Sequence, residues 1–287
     1  MTDNTAKGLV SLLRLPYWMM TGGLSLITAF AISKVFLAPQ TILLVFFSMA
    51  FITSAGFALN DYFDRESDAV IKPKRPIPSG TLSLKQVIAI SSVLFAAGLV
   101  FALLINSLSF VILLIDSVLL IIYSAFVKRK SGFAANILVG LLVGTAFIYG
   151  EATVYETVSI ISLSLYPICF GTIGGNVLRD ILSYEGDSKV GYPTLPKRFG
   201  NAGSAKIASL FFSATAILAP LPFFLNPPGF SIYYVALILM WGAILLYCSI
   251  RLVTLPATIE NVRKYERLIT RSMMLLILSL VLEALIP

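Results

Sequence analysis

Nine apolar stretches, each about as long as a bilayer is thick, run through this chain of 287 residues. They lie at 16–37, 40–63, 84–105, 108–127, 133–149, 158–182, 205–224, 231–250 and 268–286. A helix needs ~20 apolar residues to cross a hydrocarbon core of ~30 Å. Inside lipid every backbone N–H and C=O must be satisfied within the protein, which leaves helices or closed barrels. Stretches this long without period-two alternation predict helices. The expected fold is therefore an all-α integral membrane protein, with nine transmembrane helices in a bundle around a central cavity. Residues 1–287 form one domain on this reading. Composition agrees: 58% of residues are hydrophobic and 12% charged, against ~45–50% and ~25% in soluble domains. Disorder, collagen and coiled coil are excluded by the same values. The chain has no histidine, which excludes histidine-ligated zinc or haem and any triad with a histidine base. Cys169 and Cys248 stand far apart in apolar segments and read as buried thiols. Residues 1–14 are polar and carry no expected cleavable signal, and no lipidation motif stands at 287.

The basic residues orient the bundle. With the N-terminus in the cytoplasm, twenty of the 21 lysines and arginines fall on the inner side, and only Lys34 falls outside. This follows the positive-inside rule, and one missed span would scramble it. The net charge of +7 is thus mostly topology, and no nucleic-acid partner is expected. The outer connections are short, with Glu151 and Glu156 on one of them. The long polar loops, and with them the functional surface, are expected to face the cytoplasm from the cell membrane.

Two of those inner ends are acidic. The second span closes on NDYFDRESD, Asn60 to Asp68. On a helix, Asn60, Asp64 and Asp68 fall within about 80° of one another, with Asp61 just beside them. The sixth span closes with Asn176, Asp180 and Asp187 within about 40°, and Ser183 shares that face. An intramembrane carboxylate costs ~2.5–3.5 kcal/mol on insertion scales. A helix C-terminus disfavours anions further. Carboxylates so placed need cations. Oxygen ligands from Asp and Asn suit a hard divalent ion, Mg2+ with water and a substrate phosphate completing its shell, or Mn2+. Each cluster is followed by a basic, proline-containing loop: Lys72, Lys74 and Arg75 after the first, Lys189, Lys197 and Arg198 after the second. The repeated plan hints at a weak internal duplication, with motifs at 60–68 and 176–187. Acidic metal ligands beside lysine and arginine are what a diphosphate site requires.

The fourth span ends YSAFVKRK. Tyr123 and Lys130, seven residues apart, can share a face. Asp116 lies two turns deeper, and a lone acid within a span is a functional candidate. Gly140 and Gly144 form GxxxG, and Gly171, Gly174 and Gly175 precede the second cluster; close helix packing is expected there. Two other membrane classes fit less well. A cation transporter needs a midplane site at broken helices, whereas both clusters lie at one face. The DGxxAR…GxxxDxxxD signature of CDP-alcohol phosphotransferases is absent.

NDYFDRESD with KRPIPSG, and NVLRDILSYEGD with YPTLPKRFG, resemble the UbiA superfamily of intramembrane prenyltransferases. The likeness covers most of the chain, from Arg14 through both motifs and the YS…KRK stretch with Asn136 after it. Within the superfamily it looks most like the digeranylgeranylglyceryl phosphate synthase branch of archaeal lipid synthesis. That branch often has Glu where Asn176 stands and Asp where Ser183 stands. The serine is shared with chlorophyll-synthase-like members, so an aromatic or tetrapyrrole acceptor stays open beside geranylgeranylglyceryl phosphate. The resemblance implies transfer of a polyprenyl group, geranylgeranyl for this branch, from its diphosphate to a lipophilic acceptor in the membrane lipid. It implies Mg2+, with two ions as the expected number, on Asn60, Asp64, Asp68, Asn176, Asp180 and Asp187. Arg14, Lys72, Arg75, Lys128 and Lys130 would take the outer diphosphate oxygens. Asp61, Asp116 and Ser183 join them as candidate substrate contacts. Tyr123 would face the allylic cation with its ring.

Overall fold

The computed structural model describes residues 3–225 and 229–285. Positions 226–228 of the expected outer connection and residue 286 of the last expected span lie outside the described residues. Among these described residues there is no strand, and nine helices are long and apolar enough to span a membrane. They are α1 (Thr5–Ser33), α2 (Pro39–Phe63), α3 (Leu84–Ile105), α4 (Ser107–Lys130), α5 (Gly132–Tyr155), α6 (Ile160–Lys189), α7 (Leu195–Phe224), α8 (Ile232–Thr254) and α9 (Ile259–Leu285). Large apolar side chains such as Val93, Leu104, Leu210 and Ile217 stand outward, each about two-thirds exposed. A protein in water rarely displays such a girdle; a multi-pass membrane protein requires one.

Each helix packs on the next in the chain, and α9 closes the ring by packing on α1. Two large apolar cores result, and a small third one gathers Leu12, Ala58, Leu82 and Val87. One large core fills the space among α6, α7, α8 and α9 around Phe212, Tyr234 and Trp241. The other joins α2, α3, α4 and α5 around Met49, Leu113 and Tyr149. Glycines let the α5–α6 seam close. A Cβ at Gly140 would lie 2.2 Å from Ile173 Cγ1, and one at Gly144 would lie 2.9 Å from Cys169 Cβ. Gly174 meets Phe212 in the same way, whereas Gly175 has nothing within 4 Å. The expected close packing holds at Gly140, Gly144 and Gly174, gives way to ordinary contact at Gly171 (3.6 Å to Thr215 Oγ1), and is absent at Gly175.

Helix ends follow capping chemistry. Pro39 opens α2. Ser83 and Gln86 make a capping box at α3. Ser131 and Ser231 cap α5 and α8 with their side chains. Two helices start earlier than their apolar stretches predict, α7 at 195 rather than 205 and α9 at 259 rather than 268, while in α1 a turn at Arg14 and Leu15 separates an added helix, Asp3–Leu13, from one that begins at the expected Pro16. The first turns of the two early helices carry charged side chains, Lys197 and Arg198 in α7 and Glu260 in α9, so hydropathy cannot see them. In α7 the backbone departs from helical geometry at Gly200 (φ 65°, ψ 176°). Lys197 and Arg198 therefore sit on a helical turn rather than in a loop.

The face opposite the acidic motifs also differs from expectation. Glu151 is not in a loop. It lies in the last turns of α5, 2% exposed, and accepts from the Ser159 N–H (2.7 Å), the Ser159 hydroxyl (2.5 Å) and the Ser162 hydroxyl. Glu283 of α9 is fully buried; it pairs with Lys34 and accepts from the Ser231 N–H at 2.8 Å and the Ser231 hydroxyl at 2.6 Å. Each carboxylate thus meets the positive end of a helix, α6 or α8. That half of the molecule holds two buried carboxylates, both consumed in tying helices together, besides the exposed Glu156, which accepts from the Ser107 N–H at 3.2 Å.

Candidate functional site

α2 and α6 each carry one acidic motif to the same face of the bundle, and their side chains meet at one chamber. This chamber has a volume of about 340 Å3. Its mouth holds Arg14, Asn60, Arg75, Lys128, Asn176 and Asp180. Asn136 lies beside Asp180, and along α4 away from Lys128 follow Tyr123, Leu120 and Asp116, with apolar side chains such as Met49 and Val143 completing the walls. A polar, charged mouth over an apolar interior suits an amphiphile with an anionic head.

The first motif is wired to cations. α2 ends at Phe63, Asp64 leaves helical geometry (φ −86°, ψ 1°), and a short helix continues over Arg65–Ile71. Asp61 accepts from Arg14 at 2.5 Å and from Arg75 at 2.7 Å. The same Arg75 nitrogen reaches Asp68 at 2.6 Å. Asp64 accepts from the Asn60 amide at 2.9 Å, from the Tyr192 hydroxyl at 2.9 Å, and from Lys128. All three carboxylates are about 95% buried, and such charges persist only when paired. Arg14 itself adopts a left-handed backbone (φ 51°) and stacks on Phe57 at 4.3 Å. That conformation costs a non-glycine residue energy and recurs at functional sites. Here it turns the guanidinium out of the helix line and into the mouth.

The second motif is less saturated. Asp180 accepts from the Asn136 amide at 2.8 Å, Asn176 accepts from Arg179 at 3.1 Å, and Ser183 donates to Asp187 at 2.5 Å. Of the expected site residues, Asp61, Asp64, Asp68, Asp187 and Ser183 do not line the chamber; the first three meet it through the side chains of Arg14, Arg75, Asn60 and Lys128, and the charge of Asp187 acts on Asp180. Lys72 does not line the chamber; its backbone carbonyl accepts from the Arg75 N–H at 3.0 Å. Burial, then the Arg75, Lys128 and Arg14 charges, lower its pKa below the usual lysine value, while Asp68 raises it. Lys130 departs from expectation: it turns to a separate groove between α5 and α7 rather than to the chamber.

Do these residues fit a hard divalent ion? Among the described residues no group of three or more carboxylates is close enough to hold one alone. The asparagines supply what is missing. The Asn60 side-chain oxygen is buried with no hydrogen-bond partner. An orphaned acceptor is costly unless something takes its lone pairs, and it stands beside Asp64 at the chamber wall. The donor set is all oxygen, with room for water and phosphate to complete the shell, which fits Mg2+.

Two contributors escaped the sequence reading. Tyr192, whose hydroxyl holds Asp64 while Ser67 Oγ stands 2.9 Å away, was legible only as part of a proline-rich loop. Its pKa is raised, chiefly by burial. Arg179 lies one turn from Asn176, and that spacing was the available signal. Tyr123 opens a π-helical segment, Tyr123–Val127; such bulges often mark functional positions.

Comparison with known proteins gives a consistent family. The model of the UbiA prenyltransferase family matches residues 19–276. The chain is 34% identical over 232 residues to digeranylgeranylglyceryl phosphate synthase of Natronomonas pharaonis, covering 81% of this chain and 83% of that protein. It is 35% identical over 211 residues to the synthase of the same name from Methanothrix thermoacetophila, covering 74% and 78%. Among solved structures, one of digeranylgeranylglyceryl phosphate synthase superposes with a TM-score of 0.83 at 27% identity, covering 98% of this chain and 99% of that one. A UbiA homolog from Archaeoglobus fulgidus bound to GPP and Mg2+ superposes with a TM-score of 0.68 at 21% identity, covering 95% and 99%.

Proposed function

The chain belongs to the UbiA prenyltransferase family, and from that premise we propose that it transfers a geranylgeranyl group from its diphosphate to geranylgeranylglyceryl phosphate. The observation that carries this reading is the chamber in which Asn60 of the first motif, Asn176 and Asp180 of the second, and the cations Arg14, Arg75 and Lys128 meet over an apolar interior. Relatives named for this reaction support the choice of acceptor.

On this reading the prenyl tail lies among the apolar side chains, and the diphosphate sits at the mouth. Arg14, Arg75 and Lys128 bind its oxygens, and Lys72 adds charge close to Arg75. Asn60, Asp64, Asp68, Asn176, Asp180 and Asp187 would hold Mg2+, which when bound supplies positive charge to neutralise the leaving diphosphate. Asp61 serves by fixing Arg14 and Arg75. Tyr192 and Asn136 fix Asp64 and Asp180. The allylic C–O bond breaks, the diphosphate leaves, and the acceptor hydroxyl oxygen bonds to the carbon and gives up its proton. Tyr123 offers its ring to the allylic cation, and the apolar walls keep water from it. Asp116 and Ser183 are second-tier candidates, the former deep in the chamber and the latter steadying Asp187. The motif face is the cytoplasmic side, because the lysines and arginines gather there. The chain is one domain whose two motif-bearing helices, α2 and α6, descend from a duplicated plan.

The test is diphosphate release by the purified protein from geranylgeranyl diphosphate, with and without geranylgeranylglyceryl phosphate. Release that needs both substrates and is abolished by EDTA is expected. Donor binding without release would move the acceptor to an aromatic or tetrapyrrole ring. No donor binding would overturn the reading.

A further inference from the structure

A second concavity, of about 890 Å3, lies on the outside of the bundle between α5, α6 and α7. Its walls are apolar: Phe133, Phe170, Ile207 and Phe211. Its rim at the motif face is cationic, formed by Lys130, Lys197 and Arg198, and no acidic side chain lines it. None of these three cations is in an ion pair among the described residues, and none is buried. Along α7 the groove runs from Lys197 to Ala214, a rise of roughly 20 Å past the Gly200 kink, which takes it from the interface to near mid-bilayer.

We propose that this groove is a binding site for an anionic phospholipid of the surrounding membrane, with the phosphate on Lys130, Lys197 and Arg198 and one chain along Phe133, Phe170 and Phe211. Charge complementarity selects the occupant. Ordinary lipid-facing surface is convex and uncharged, whereas basic pockets between spans at one membrane face take acidic headgroups. The site is distinct from the catalytic chamber. The two share no lining residue, and the α5–α6 seam between them is shut where Gly140 meets Ile173. A lipid in the groove therefore never reaches the reacting atoms.

It does reach the loop that holds them. Pro193 and Thr194 form part of the groove wall. The Pro193 carbonyl accepts from the Gly132 N–H at 3.0 Å. The preceding residue is Tyr192, which donates to Asp64 at 2.9 Å. A headgroup drawn to Lys197 and Arg198 presses on this loop from outside while Tyr192 grips the first motif from within. Occupancy steadies Asp64, and anionic lipid supports turnover by that route.

The test uses the full chain in detergent, with native mass spectrometry reading retained lipid. The probes are phosphatidylglycerol and phosphatidylcholine with the same acyl chains. We expect phosphatidylglycerol to be retained about tenfold over phosphatidylcholine. Lys197→Gln with Arg198→Gln should bring the ratio near one. Ala214→Trp, which fills the floor and leaves the rim intact, should lower retention of both. Equal retention by the unaltered protein, or an unchanged ratio in the charge variant, overturns the proposal. So does retention of inorganic phosphate without lipid, which would make the rim a free-anion site. A dimer abolished by Ala214→Trp overturns it too, because the groove would then seat a second copy. The mass readout needs no catalysis, so its failure is separable from failure of the prenyltransferase reading. In phosphatidylcholine vesicles, added phosphatidylglycerol should raise kcat severalfold in the unaltered protein and not in the charge variant. Lipid binding without that rise overturns the coupling through Tyr192.

Discussion

Lys72 shows how far the surroundings of the first motif are from electrical balance. Burial, then Arg75, Lys128 and Arg14, work to strip its proton, and Asp68 works to keep it. An anionic donor binds the protonated form. As pH rises through the lowered pKa of the free protein, the ammonium is lost and donor KM climbs, by up to about tenfold per pH unit beyond that point. Arginine stays charged throughout, so Lys72→Arg should hold KM level over the same alkaline range. Steady-state kinetics from neutral to alkaline pH check this, and parallel profiles would remove Lys72 from the donor site. At this scale the sequence was informative where chemistry forces unusual residues into costly places. Asp64 and Asp180 stand out because carboxylates at apolar helix ends demand a reason. Tyr192 does not stand out, because an aromatic residue in a proline-rich loop is ordinary until its hydroxyl is seen on Asp64. The direction of Lys130 was equally illegible. It depends on how α4 ends and α5 begins at Ser131, and a shared helical face with Tyr123 does not survive the π-helical segment between them.

Among the elements, the seam between α5 and α6 positions the second motif. Asn136 on α5 donates to Asp180 on α6, and the next turn of α5 is Gly140, against Ile173. Gly140→Leu should wedge the two helices apart. Overpacking of this kind costs about 1–3 kcal/mol, and the lost Asn136–Asp180 register should lower activity more than tenfold. Gly175→Ala is the contrast: it meets nothing within 4 Å, and a helical glycine-to-alanine change gains up to about 1 kcal/mol. Melting temperature and turnover of the two variants in detergent check both statements. Equal behaviour would show that the seam is plastic. The spans themselves were legible in number and nearly in place, because twenty apolar residues have few other uses. The helix Asp3–Leu13 and the starts of α7 and α9 were not, since an amphipathic first turn carries no hydropathy signal. The kink at Gly200 was likewise invisible, as glycine within a helix has several readings.

Across the whole molecule, closure depends on two buried carboxylates far from the chemistry. Glu283 gathers Lys34, the residue just past α1, and Ser231, the N-cap of α8, onto α9. Breaking a buried pair costs about 3–5 kcal/mol, and Lys34 is partly exposed, so about 1–3 kcal/mol is the reasonable range for Glu283→Gln. The variant should melt several degrees lower in detergent while keeping its turnover at low temperature. An unchanged melting temperature would assign closure to apolar packing alone. The sequence marked Lys34 as the single basic residue on its side, and could not show that the exception has a partner 249 positions away. That pairing also orders events during synthesis. α1 emerges first, yet its lateral partner α9 follows all the other described spans. Until α9 inserts, the seam beside α1 stands open to lipid, and the insertion machinery or a neighbouring protein must shield Arg14 and the chamber behind it. The protein becomes a sealed compartment only when its ninth helix arrives, so assembly, like catalysis, turns on when the membrane is kept out.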